Sequence, residues 1–209
     1  MDSRAGLTNR PRAHTSTLEI ERRNSALSDA HMRPLSEYVG RLRSKYPSLE
    51  FPDFDPLGGG IDADMLFLLE KPGPKTSRRG GGSGFVSACN DDPTAEASWH
   101  FMQEAGIDLE RTCHWNIIPG WDGNREQRSQ ADVSSGLSQL EELLGLLPKL
   151  RVAVLLGNKA HKAEALLRDH GLHVVKTIHP SRLARASYPD RWKRLGAEWA
   201  KARELADCS

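Results

Sequence analysis

The chain is poor in cysteine. Its 209 residues include three, Cys89, Cys113 and Cys208, far apart and without a C-x-x-C pair. That excludes a disulfide framework and a zinc or iron–sulfur site built from cysteine alone, and a reducing cytoplasm is the expected compartment. No apolar run approaches the roughly 18 residues a bilayer needs. The opening MDSRAGLTNRPRAHTSTLE lacks an apolar h-region, so no secretory signal is expected either. Charge of one sign is also missing: 29 Lys and Arg against 28 Asp and Glu leave a net +1. Any nucleic-acid footprint must then come from local clustering. Two enzyme signatures fail as well. Lys75-Thr76 lacks the G-x4-G-K-[ST] spacing of a nucleotide loop, and no serine sits in G-x-S-x-G. His170 and His173 have no carboxylate cluster nearby and suggest no metal site.

What is present is a regular alternation. Residues 1–30 are polar and rich in Arg, Ser and Thr, which predicts a flexible arm with at most one helical turn near Leu18–Arg23. Residues 31–209 read as a single domain. After a helix that starts near Pro34 and a Pro/Asp/Gly linker come four short apolar runs: Met65–Leu69, Cys113–Ile118, Val152–Leu156 and Val174–Ile178. Helical patterns separate and follow them, at Pro93–Ala105, Val133–Leu147, Lys159–His170 and Arg191–Leu205. Leu137, Leu140, Leu143, Leu144 and Leu147 make one apolar stripe, which is core. Runs that are apolar on both faces and divided by helices predict a three-layer α/β/α fold around a central four-stranded parallel sheet.

In such sheets ligands gather beyond the carboxyl ends of the strands. The residues there are Glu70-Lys71-Pro72-Gly73, Asn116 to Gly120, Gly157-Asn158-Lys159 and His179-Pro180-Ser181. Polar residues that look out of place in buried runs all fall on one rim, and a single pocket explains them. Taken singly, each has a plain reading. Glu70 fits a carboxylate before a Pro-Gly turn, Asn116 a strand-end cap, Phe85 a core ring and His179 a buried histidine.

The stretches LLEKPGP, GGSGFVS, WNIIPGW, LLGNKA and IHPSRL together resemble the uracil-DNA glycosylase superfamily over roughly residues 64–199. The likeness is nearest to the branch with glutamate in its first motif, as a relative without that branch's iron–sulfur cysteines. The resemblance implies a DNA glycosylase needing no cofactor or metal, acting as a monomer on DNA and away from membranes. It makes Glu70 and His179 catalytic. It makes Phe85 and Asn116 the residues that meet the base; Lys71, Asn90 and Asp91, where the chain departs from the family pattern, are further candidates for that contact. Ser181, Arg182, Leu183, Arg185, Gly73, Lys75 and Lys159 would meet the DNA.

The chemistry is consistent with those roles. Breaking a pyrimidine N-glycosidic bond builds positive charge on the sugar and negative charge on the leaving base, so an anion and a hydrogen-bond donor are needed. The departures concern specificity. Leu69 and Lys71 replace small residues of the first motif, the loop from Gly73 to Phe85 carries Gly80-Gly81-Gly82-Ser83-Gly84, and Asn90-Asp91-Asp92-Pro93-Thr94 follows. A helix cap accounts for the last segment; a pocket-facing carboxylate or carboxamide is the alternative. The glycines suggest a roomier pocket, and a modified pyrimidine, such as a hypermodified cytosine of phage DNA, becomes an alternative to uracil. Restriction of phage would then replace repair. Competing readings are a non-catalytic module for modified or single-stranded DNA and a hydrolase of free nucleosides.

Overall fold

The two central strands form where apolar runs leave no polar face, and the helices that pack on the sheet form where the apolar spacing changes to about four. The computed structural model describes residues 3–123 and 130–208. In chain order its elements are α1 (Thr17–Ala26), α2 (Arg33–Lys45), β1 (Asp53–Phe54) and β2 (Met65–Leu69). Next come β3 (Phe85–Val86), α3 (Pro93–Ala105), β4 (Thr112–Asn116) and α4 (Gln130–Leu144). The chain ends with β5 (Val152–Leu156), α5 (Glu164–Asp169), β6 (His173–Thr177), α6 (Arg182–Ser187), α7 (Pro189–Trp192) and α8 (Leu195–Asp207). Among the described residues no helix is long and apolar enough to cross a membrane.

Strands β4, β2, β5 and β6 lie in that order and all pair in parallel. Successive side chains leave opposite faces of a strand, so each face has its own core. Leu66, Leu68, Cys113, Trp115 and Leu155 pack with α2 and α4 residues such as Leu35, Tyr38, Leu140 and Leu143. Met65, Phe67, Val152 and Val154 pack on the other side with Met102 of α3 and Trp199 of α8. This is the expected three-layer α/β/α arrangement around a four-stranded parallel sheet. Helix α4 crosses very close to the end of β4: a Cβ at Gly136 would overlap the Ile117 carbonyl oxygen. Register puts Leu69 beside Asn116, and Leu156 beside Thr177, so the strand ends open onto one edge.

Four details differ from the sequence reading. The polar segment 1–30 is helical at Thr17–Ala26 and packs on the body, with Ala13, His14 and Arg23 buried. Ion pairs hold it, with only the small side chains of Ala13 and Ala26 buried among its described apolar residues, so no hydrophobic period betrays it: Arg23 meets Glu19 at 2.9 Å and Asp55 at 3.0 Å. Strand β6 lies at the sheet edge, where Val174 and Val175 are only half-buried and Lys176 is exposed. The helix expected over Lys159–His170 opens with a 3-10 turn at Ala160–Ala163 before α5. The last helix is interrupted at Lys193 and Arg194, which lets Leu195 and Trp199 face the core while Trp192 packs edge-on to Phe101 at 5.2 Å.

A second, two-stranded parallel sheet joins β1 to β3, with Asp53 beside Phe85 and Phe54 beside Val86. Phe54 stacks on Trp115 of β4 at 4.1 Å. This small sheet fixes the segment from Phe85 onward against the main sheet.

Candidate active site

A cleft of about 650 Å³ opens at the carboxyl ends of β2 and β4. That lies within the roughly 300–1,000 Å³ common for small-molecule sites. Glu70, Asn116 and His179 all line it, although the chain separates Glu70 from His179 by more than a hundred positions. The main chain past β2 continues the pairing: Ile117 N–H donates to the Leu69 carbonyl at 2.8 Å and Ile118 N–H to the Glu70 carbonyl at 2.9 Å. Glu70 and Asn116 are thereby held at adjacent strand ends. Withdrawal from water pushes the His179 imidazole below its usual pKa, with the Asp92 carboxylate opposing, so the ring is neutral at neutral pH.

The facing wall is the segment that follows Val86. Ser87, Ala88, Asn90, Asp91, Asp92 and Thr94 line the cleft. Asp92 caps α3, its carboxylate accepting from Thr94 N–H and Ala95 N–H at 2.9 Å each; the cap and the pocket position coexist. Asp91 is paired with Lys75 at 3.0 Å and Arg12 at 2.8 Å, and these two cations hold its pKa below the usual value. Lys71 lines the cleft too, with its ammonium 2.6 Å from Asp122 and 5.2 Å from the centre of the Trp121 ring.

The glycine-rich loop is tightly held. Gly73 lines the cleft and starts a turn in which its carbonyl accepts from Thr76 N–H at 2.9 Å. Glu50 grips the loop from below through the Ser77 hydroxyl at 2.6 Å and the Arg78 N–H at 2.5 Å. Phe85 lies elsewhere than the resemblance implies. It is fully buried and does not line the cleft; the His14 ring at 5.8 Å and the Arg78 guanidinium at 5.8 Å cover it. Its pairing in β3 turns it into the body.

Beyond His179 the chain leaves the cleft. The Ser181 hydroxyl accepts from Ala184 N–H at 3.2 Å and caps α6. Arg182 and Arg185 are exposed, as is Leu183 at 77 %, the most exposed of the large hydrophobic side chains in the described residues. Arg185 sits over the Trp192 ring at 5.8 Å. Lys159 is half-buried just past β5 and does not line the cleft.

His114 is a cleft residue that sequence reasoning misses. It precedes Asn116 by two, so strand alternation puts both on one face, and that period was the available signal. Its ring stacks on Phe67 at 5.3 Å, and its Nδ1 lies 3.4 Å from the Thr112 hydroxyl. That hydroxyl donates to the Leu109 carbonyl at 2.8 Å, so it accepts from Nδ1–H and leaves Nε2 as a buried lone pair without a partner among the described residues. Burial lowers the His114 pKa to about 4. A carboxylate, a carboxamide and neutral imidazoles around one cavity can hold a polar ring, orient a water and donate to a carbonyl oxygen.

No curated protein matches the chain. A solution NMR structure of a candidate uracil DNA glycosylase from Methanosarcina acetivorans aligns at 18% identity and a TM-score of 0.44, over 68% of this chain and 93% of that one. The model of the Uracil DNA glycosylase superfamily matches residues 58–201, from the turn before β2 into α8 and through every cleft-lining residue named above. The chain belongs to the Uracil DNA glycosylase superfamily.

Proposed function

We propose that this chain is a monofunctional DNA glycosylase that extrudes a pyrimidine nucleotide and hydrolyses its N-glycosidic bond. The observation that carries this reading is the convergence of Glu70, Asn116 and His179 on one cleft. Glu70 orients a water toward C1′ and faces the positive charge that develops on the sugar. As the water oxygen bonds to C1′ it gives its proton to the Glu70 carboxylate, the C1′–N1 pair leaves with the base, and His179 donates to the base O2 where negative charge collects. The base anion then takes a proton from solvent, and Glu70 returns its own. Asn116 offers both a donor and an acceptor to the base edge. Unstacking costs a few kcal/mol, which the pocket contacts offset. Leu183 enters the vacated stack, and the arginines beside it meet phosphate. The products are a free base and an abasic site.

The size of the cleft and its wall of Asn90, Asp91 and Asp92 favour a modified pyrimidine over plain uracil. Carboxylates accept from an exocyclic amine or a hydroxyl, and uracil has neither. A hypermodified cytosine of phage DNA has such groups, and the protein would then act in the cytoplasm as a monomeric restriction factor. The deciding experiment is base release by the purified protein across oligonucleotides with uracil, cytosine and modified cytosines. Abasic sites should appear on a modified substrate, Glu70→Gln should abolish release while keeping DNA affinity, and His179→Ala should cost about 100- to 1000-fold. Release from uracil DNA alone would remove the defence role. Release from free nucleosides in preference to DNA would overturn the polymer reading.

A further inference from the structure

The first 57 residues lie outside the segment that matches the superfamily, yet they reach the cleft wall through buried polar contacts. Arg23 is fully buried. Its Nε donates to Asp55 Oδ1 at 3.0 Å, one terminal nitrogen to Glu19 at 2.9 Å, and the other to the Thr8 carbonyl at 2.9 Å. Asp55 accepts with its second oxygen from the Ser87 hydroxyl, which in turn accepts from Cys89 N–H at 2.9 Å. A buried charge is tolerated when it is paired and fully hydrogen-bonded, and this network meets that demand while bracing the wall.

His14 carries the bracing to Asn90. The histidine is 6% exposed, its backbone N–H donates to the Cys89 carbonyl at 3.1 Å, and its ring Nδ1 lies 2.7 Å from Asn90 Oδ1. Asn90 Nδ2 donates to the Phe85 carbonyl at 2.9 Å. A carbonyl can only accept, so this contact assigns the two ends of the amide. Oδ1 then receives the Ser83 hydroxyl at 2.5 Å and the Nδ1–H of His14. Turning the amide over would set oxygen against the Phe85 carbonyl and N–H against two donors. What remains of the carboxamide is its second Nδ2 hydrogen, on a residue that lines the cleft.

We propose that His14 is a positioning residue: it locks the Asn90 carboxamide in the orientation that offers an N–H to the extruded nucleotide. This inference rests on the glycosylase reading and deepens it, because an N–H there recognises a carbonyl or hydroxyl oxygen of the substrate. His14 acts through Asn90 and touches no reacting atom. Its Nδ1–H is present in the neutral and the charged ring alike, so a proton added at Nε2, which faces Asp55 Oδ2 at 3.7 Å with Arg23 and Glu19 behind it, leaves that donor in place.

The test compares His14→Phe, which keeps a ring without the donor, and His14→Asn, which returns an N–H to the Nδ1 position. Single-turnover base release should fall roughly tenfold in His14→Phe, the worth of one hydrogen bond, with unchanged DNA affinity and an unchanged pH profile. His14→Asn should recover most of that loss. A second readout is independent of activity: the side-chain NH2 resonances of Asn90 should form one exchange-protected pair in the wild type and His14→Asn, and broaden or double in His14→Phe. Wild-type release at rates equal to His14→Phe, or an undisturbed Asn90 pair in that variant, overturns the inference. If the wild type releases no base from any substrate, the glycosylase reading fails and the resonances decide the positioning role by themselves. Should His14→Phe not fold, His14→Leu replaces it, and failure of both assigns His14 to the fold alone.

Discussion

Three histidines of this chain are withdrawn from water, and in each the pKa falls, with burial as the leading cause. Their folded values lie below the usual 6.5 or so of an unfolded chain. As pH drops, the unfolded state therefore takes up protons first, and stability is complete above about 6.5 and lost toward the folded values. For His114 that window runs down to about 4. Glu19, held at about 2 chiefly by its hydrogen bonds from Thr8, Arg23 and Arg22 against the opposing effect of burial, acts in a lower window and fades only in stronger acid. Urea unfolding at pH 7, 5.5 and 4.5 should show a steady loss, with each pKa unit worth about 1.4 kcal/mol. His114→Phe, which keeps the stack on Phe67, should flatten the profile; an unchanged slope would contradict the assignment. At this scale the legible residues were those that close a strand with a polar side chain. Glu70, Asn116 and His179 could be named because a buried run has no use for them. His14 and Arg23 could not, since their partners lie dozens of positions away. Phe85 was misplaced because a short strand, invisible in the composition, turns its ring inward.

Strand β5 is followed by a glycine for a reason that involves the site. Gly157 has φ +90°, a conformation L side chains avoid, and a Cβ there would stand 3.2 Å from the His179 Cβ. Gly157→Ala should lower stability by about 1–3 kcal/mol through backbone strain. It should also slow base release at temperatures where the variant is fully folded, because the added methyl presses on His179. Thermal unfolding alongside single-turnover rates separates the two effects, and a folded variant releasing base at the wild-type rate would refute the contact. The main strands and α3 were readable from apolar runs and cap residues, and Met65–Leu69, Val152–Leu156 and Pro93–Ala105 coincide with the observed elements. Elements of two residues and helices held by ion pairs carry no such period, which is why β1 and β3 leave no trace in the sequence and α1 shows there as a single turn near Leu18–Arg23.

The molecule as a whole is almost electrically neutral, so attraction to DNA depends on where its charges stand. Arg182, Arg185, Arg191, Lys193 and Arg194 are all exposed within one short stretch after His179. Each phosphate neutralised contributes about 0.9 to the slope of log affinity against log salt. Replacing Arg182 and Arg185 by Gln should reduce that slope by about 1.8, measured by fluorescence anisotropy over a salt series. A slope equal to the wild type would move the DNA surface elsewhere.

The pairing of β1 with β3 bears on how the chain is made. Asp53 and Phe54 leave the ribosome well before Phe85 and Val86, and parallel partners cannot zip together through a tight turn. The segment synthesised first must therefore wait, its charges still hydrated, until the wall it braces has emerged. A nascent chain stalled before Phe85 lacks the strand that β1 needs.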